Sequence, residues 1–212
     1  MATDQLLLMH KTIDLAASTL LYERPLSQES FEQDWQVRGG TWWFQDGGFH
    51  GMNPAPCPGC LLGRFPCTGN VLVDFHAQTV PPSTHDIDVM WNVTWNEADN
   101  TRGLAYVAGV QGWWDGKVGV EKSPQYKLVA AAPCPWFAPG RQYHIQAGSI
   151  DGQCFVFVDG KLMLEVFDAD PIDSQVSNRV GFEAYQSMIR IDDIKVYRIA
   201  WSQRKHAYPT EF

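Results

Sequence analysis

Four Asp-Gly dipeptides punctuate this chain, at Asp46-Gly47, Asp115-Gly116, Asp151-Gly152 and Asp159-Gly160. Between apolar, β-rich runs such a pair fits a type I′ hairpin, because both central residues need positive φ and Asp and Gly tolerate it. Around the last two, residues 143–149, 153–158 and 161–167 read as a three-stranded antiparallel meander. Further strands are expected at 41–44, 71–77, 86–95, 103–109, 116–121, 127–131, 180–185 and 188–199. Many short strands with tight turns predict an all-β fold, a sandwich or barrel. The 212 residues fit one such unit. Only the N-terminus reads differently. Residues 4–18 contain no Pro or Gly, and Leu7, Leu8, Ile13, Ala16 and Ala17 recur at rough helical spacing, which predicts a helix. The expected organisation is a helical appendage over 1–19 and a β-sandwich over 20–212.

Composition removes several function classes. The formal net charge is -8, and no Lys/Arg run is present, which argues against a nucleic-acid partner. No apolar stretch approaches a membrane span. The early apolar run, Leu6 to Met9, is too short for a signal peptide and lacks a basic flank, so the sequence predicts a cytoplasmic protein. Cys57-Pro58-Gly59-Cys60 is a single CxxC with Cys67 and His50 nearby in sequence. A second ligand pair at zinc spacing is missing, and free thiols in a Pro/Gly-rich loop are the simpler reading. A homo-oligomer is left open.

Nine tryptophans exceed what a core needs and supply flat faces for stacking on sugar rings. Trp113 and Trp114 sit together in a Gly-rich turn, with Gln111, Asp115 and Lys117 beside them as hydrogen-bonding groups. In the strand 86–95, alternation puts Asp86, Asp88, Met90 and Asn92 on one face, the candidate groove wall, and Ile87, Val89 and Trp91 on the other. Asn92 and Glu97 flank aromatic rings there, and Glu97 is a candidate acid or base. His85 and Asp86 are further groove candidates. In 180–185, Phe182 faces the core, so Glu183 and Tyr185 face the groove and are the leading proton-transfer candidates; Arg190 is expected close by on a paired strand.

Two stretches carry a resemblance. Cys154-Phe155-Val156-Phe157-Val158-Asp159-Gly160-Lys161-Leu162 resembles the F-x-V-D-G hairpin common in the concanavalin A-like lectin/glucanase superfamily. Val180-Gly181-Phe182-Glu183-Ala184-Tyr185, followed by Ile191-Asp192-Asp193-Ile194-Lys195-Val196-Tyr197, resembles its closing strands. The opening, Phe31 to Trp35 and Asp46 to His50, is similar to the start of the YesU-like proteins and the 3-keto-disaccharide hydrolase family. This resemblance spans residues 20–199 and implies a two-sheet antiparallel jelly-roll sandwich. It implies a carbohydrate-active enzyme, a hydrolase or lyase acting on a small glycoside or oligosaccharide, with a 3-keto sugar among the candidates. The alternative is a non-catalytic carbohydrate-binding module or accessory subunit. Asp192 matches the acid that holds a structural calcium in laminarinase-type members; no other cofactor is implied. The chain departs from both patterns. It lacks a Glu-x-Asp-x-x-Glu strand, and Phe182-Glu183-Ala184-Tyr185-Gln186 lacks the histidine of the hydrolase group.

Overall fold

The computed structural model describes residues 4–112 and 116–204. Its first strands are β1 (Gln5–Leu7), β2 (Lys11–Glu23), β3 (Trp35–Val37), β4 (Thr41–Gln45), β5 (Gly48–Asn53) and β6 (Gly59–Gly63). Next come β7 (Val71–Thr79), β8 (Ile87–Val93), β9 (Trp95–Asn96), β10 (Thr101–Arg102), β11 (Ala105–Val110) and β12 (Lys117–Ser123). The last are β13 (Lys127–Pro133), β14 (Tyr143–Ile150), β15 (Gln153–Val158), β16 (Lys161–Phe167), β17 (Arg179–Ala184) and β18 (Ser187–Gln203). One sheet runs β1-β2-β18-β7-β14-β15-β16, with β5 on β18 and β4 on β5; the other runs β13-β12-β11-β8-β17-β6-β3. Every pairing is antiparallel, so the expected two-sheet sandwich is formed.

The Asp-Gly turns behave as the sequence requires. Asp46, Asp151 and Asp159 have φ near 50°, and each following glycine is also positive. The meander β14-β15-β16 follows from them, regular between β14 and β15 and with one register shift between β15 and β16 at Val156/Phe157. Alternating apolar residues from both sheets fill the space between. Phe75, Ile145 and Val196 on one side meet Val89, Trp91, Tyr106 and Phe182 on the other, all buried.

The helix expected over 4–18 is not formed. Those residues make the β1–β2 hairpin, and the one helix among the described residues is α1 (Gln28–Asp34), capped by Ser27 in a reciprocal box with Ser30. Tertiary burial overrides local spacing. Leu6, Leu8 and Ile13 cover Leu72, Ile150, Phe155 and Phe157 on the outer face of the larger sheet, while Leu7, Ala16 and Ala17 stay exposed. A trace of the helical signal survives as a bulge. The Ala17 amide donates to Asp14 Oδ1, Ser18 Oγ donates to the Asp14 carbonyl, and the register with β18 slips there. β2 runs through position 20 and pairs with β18, so among the described residues β1 and β2 belong to the larger sheet rather than to a helical appendage. No helix among the described residues is long and apolar enough to cross a membrane.

Candidate functional site

Register on the outer face of the seven-stranded sheet builds the site. Glu183 of β17 pairs across to Asp88 of β8 and, on its other side, to Cys60 of β6. One rung further, Met90 pairs with Val107, which pairs with Glu121 of β12. Phe182, Ile87, Val89 and Val120 point the other way, into the core. The apolar residues of these strands thus fix the direction in which the acids project. Asp86, with φ of 75°, precedes β8 and joins the same face.

A cleft of about 650 Å³ opens over this face. Its floor is acidic: Asp86, Asp88, Glu121 and Glu183 line it. One wall is the Pro56-Cys57-Pro58 loop, and Tyr126, Tyr185, His85 and Gln186 border the rest. Asn53 Nδ2 donates to the Cys57 carbonyl and, at 3.2 Å, to the Ala184 carbonyl, pinning the loop to the end of β17. Gly112 is required for space: a Cβ there would stand 2.8 Å from Asp86 Oδ1 and 3.5 Å from Asp88 Oδ1.

Beneath the acids lies Arg102, buried and carried in on the β9–β10 hairpin. Its Nη1 donates to Glu183 Oε2, and Nη2 stands 3.5 Å from Glu121 Oε1. The Tyr126 ring covers the guanidinium at 5.4 Å. Burial disfavours the charge on Arg102, yet Glu183 and Glu121 hold its pKa above the ordinary value. Burial pushes the Glu183 carboxyl up, and Arg102 opposes that shift.

Among the described residues no cation pairs with Asp86 or Asp88. Burial pushes Asp86 up to about 7, with the charges of Glu183 and Glu121 adding to the shift and its contact with Asp88 opposing it. Burial, then the charge of Asp86, pushes Asp88 well above the carboxylate range. Asp88 is 4% exposed and its Oδ1 lacks a hydrogen-bond donor. Two buried carboxyls side by side disfavour ionising together, so burial and mutual charge hold protons on this pair above the ordinary carboxylate range.

The structure brings Glu183, Tyr185, Asp86 and His85 together along one cleft. It sends the other candidates elsewhere. Asn92 has φ of 49° at a bulge in β8 that reverses the alternation. Its Oδ1 accepts from Ser149 Oγ and its Nδ2 donates to the Ser177 carbonyl, so it braces the interior beside Trp91. Glu97 is exposed on the β9–β10 hairpin, paired with Arg38 and Arg179, and Arg38 holds its pKa low. Gln111 shapes its own turn by accepting from the Gly116 amide. Lys117, at the exposed start of β12, does not line the cleft. Arg190 belongs to the other sheet, paired to β5 and β7, and binds Asp192 and the Asp46 carbonyl, so the cation facing Glu183 is Arg102 instead. Trp113, Trp114 and Asp115 lie outside the described residues.

Asp192 does not offer a calcium cage. Arg190 donates to one oxygen at 2.8 Å and Gln142 to the other at 3.0 Å, and calcium needs several oxygen ligands rather than N–H donors. Among the described residues no group of three His, Cys, Asp or Glu side chains can hold a metal. Cys60 is buried next to Glu183 on β6, while His50 lies on the other sheet.

Arg102, Asp88, Glu121, Tyr126 and Cys57 complete the site; of these the sequence put Asp88 on the groove-wall face and Cys57 in the CxxC, and singled out none of the other three. For Asp88 the signal was present: it shares the polar face with Asp86. For Arg102 and Glu121 the strand register had to be known first.

No protein family and no curated protein matches the sequence. Solved structures do match in fold. A carbohydrate-binding module, CBM66 from Bacillus subtilis, aligns at a TM-score of 0.64 with 13% identity, covering 78% of this chain and 96% of that one. A Bacillus subtilis protein with a galectin-like fold aligns at 0.63 with 15% identity, covering 85% and 96%. The Bacillus licheniformis β-glucanase aligns at 0.59 with 10% identity, covering 85% and 98%. The fold is therefore a two-sheet antiparallel jelly-roll sandwich, as in these structures.

Proposed function

We propose that this protein is a carbohydrate-active enzyme that cleaves a small glycoside or oligosaccharide in the cleft over the seven-stranded sheet. The observation that carries the reading is the buried Asp86 and Asp88 in the cleft, with Asp88 directly across from Glu183, whose carboxylate accepts from Arg102. A protonated Asp88 is poised as the general acid for a leaving-group oxygen. Glu183 is the base or nucleophile. Directly opposed residues on antiparallel strands have Cβ atoms about 4.5–5.5 Å apart. Likeness in fold to a β-glucanase and to a carbohydrate-binding module supports a sugar ligand.

The test is turnover of plain and 3-keto glycosides by the wild type, Asp88→Asn and Glu183→Gln. Loss of general acid–base or nucleophilic function lowers the rate by about a hundredfold or more. Near wild-type rates in both variants would sink the assignment. A 3-keto substrate, with its acidified α-proton, would need only a base, and Glu183 or Tyr185 is placed to be that base.

A second reading is binding without turnover. Glu121 and Glu183 are both committed to Arg102, and the module CBM66 shares the fold. Saturable binding with no turnover across the screen would select it. On either reading Trp113 and Trp114 are proposed to stack on the sugar. Titration should quench tryptophan fluorescence, and affinity unchanged in both Trp113→Ala and Trp114→Ala would remove them from the site.

A further inference from the structure

We infer that the cleft accepts an uncharged sugar and turns away anionic ones, uronates above all, with Asp86, Asp88 and Glu121 as the discriminating residues. The inference rests on the cleft being a carbohydrate site. Its lining holds the carboxyls of Asp86, Asp88, Glu121 and Glu183, and the only basic side chain among the described lining residues is His85. Arg102, just beneath, is already engaged by Glu183 and Glu121. Four carboxyls stand against one guanidinium, so the floor carries an excess of acid. The four acids are only 2 to 5% exposed, so solvent and salt screen them weakly.

A uronate or sulfate entering this field meets like charge in a low-dielectric setting. Recognition of such an anion calls for a free guanidinium or ammonium. Here the guanidinium is spent. A neutral sugar meets the opposite situation. Asp88 lines the cleft, and among the described residues its buried Oδ1 has no donor. A sugar hydroxyl supplies that donor, and satisfying a buried acceptor recovers the cost of leaving it unpaired. The same acid floor that suits hydroxyls is therefore the element that excludes carboxylates.

The experiment is calorimetric titration of the full chain with cello- and galacto-oligosaccharides and with their C6-oxidised uronate counterparts. We expect the neutral member of a pair to bind about tenfold or more tightly than its uronate. In Glu121→Gln, Arg102 loses one counter-charge and the gap between neutral and uronate sugars should narrow. Asp86→Asn should narrow it too. Uronate affinity equal to or above that of the neutral partner in the wild type overturns the inference, whether or not the variants fold. Uronate binding alone would do so while leaving the carbohydrate reading intact. Binding of neither class would overturn both.

Discussion

Asp86 and Asp88 decide how the cleft responds to pH. In the folded chain burial carries Asp86 from the ordinary 3.8 to about 7. Between those values the folded protein keeps a proton that the unfolded chain has released. Stability from this group therefore falls as pH rises from about 4 to about 7 and stays reduced above. Asp86→Asn should raise the melting temperature at pH 8 and change it little near pH 4. Melting curves at both pH values check this, and an equal shift at each would place the cost of burial elsewhere. Turnover should also decline toward alkaline pH, because burial and the charge of Asp86 hold the Asp88 carboxyl well above the carboxylate range and the acid is lost once that proton leaves. At this scale the sequence was half legible. Alternation around Phe182 placed Glu183 and Tyr185, and Asp86 and His85 were flagged beside them. Arg102 sits on a two-residue strand with no periodic pattern to reveal it. Glu121 alternates with Val118 and Val120, yet nothing in the chain says that β12 stands two strands from β8.

Strand β8 shows why alternation alone misplaces side chains. Its first half obeys a period of two; then the bulge near Asn92 turns a polar residue inward. Asparagine tolerates a positive φ better than most residues, which is the one clue the sequence carries. The turned Asn92 links β8 to Ser149 on β14 and to the Ser177 carbonyl before β17, so it ties the two sheets together. Asn92→Ala loses both contacts, leaves Ser149 short of an acceptor and strains the backbone. We expect a loss of about 1–3 kcal/mol in unfolding free energy. Sugar affinity should hold, because the side chain faces away from the cleft. Urea denaturation with a parallel titration checks both, and a variant with unchanged stability but weakened binding would return Asn92 to the groove. The N-terminal hairpin makes the complementary point. Its apolar spacing matched a helix locally, but an open sheet edge and an uncovered outer face decided the outcome.

At the scale of the whole molecule, hairpins between neighbours in sequence were readable and the order of distant strands was not. The Asp-Gly turns gave β14-β15-β16, whereas the neighbours β2, β18 and β7 come from opposite ends of the chain. That long-range assembly also sorts the cysteines. Cys60, Cys67, Cys134 and Cys154 are buried, and Cys57 alone is exposed, on the wall of the cleft. Burial drives the pKa of the four interior thiols upward, which keeps them from forming the reactive thiolate. A thiol reagent applied to the native protein should therefore modify one cysteine quickly and the rest only on unfolding. Because the Asn53 bond holds the Cys57 loop against β17, a bulky adduct there must project across the cleft mouth. Labelling should block sugar binding, and a bound neutral oligosaccharide should in turn slow labelling. Cys57→Ser removes the fast phase and identifies its source. If saturating sugar leaves the labelling rate of Cys57 unchanged, the ligand does not occupy this cleft, and the acids on its floor serve some other purpose.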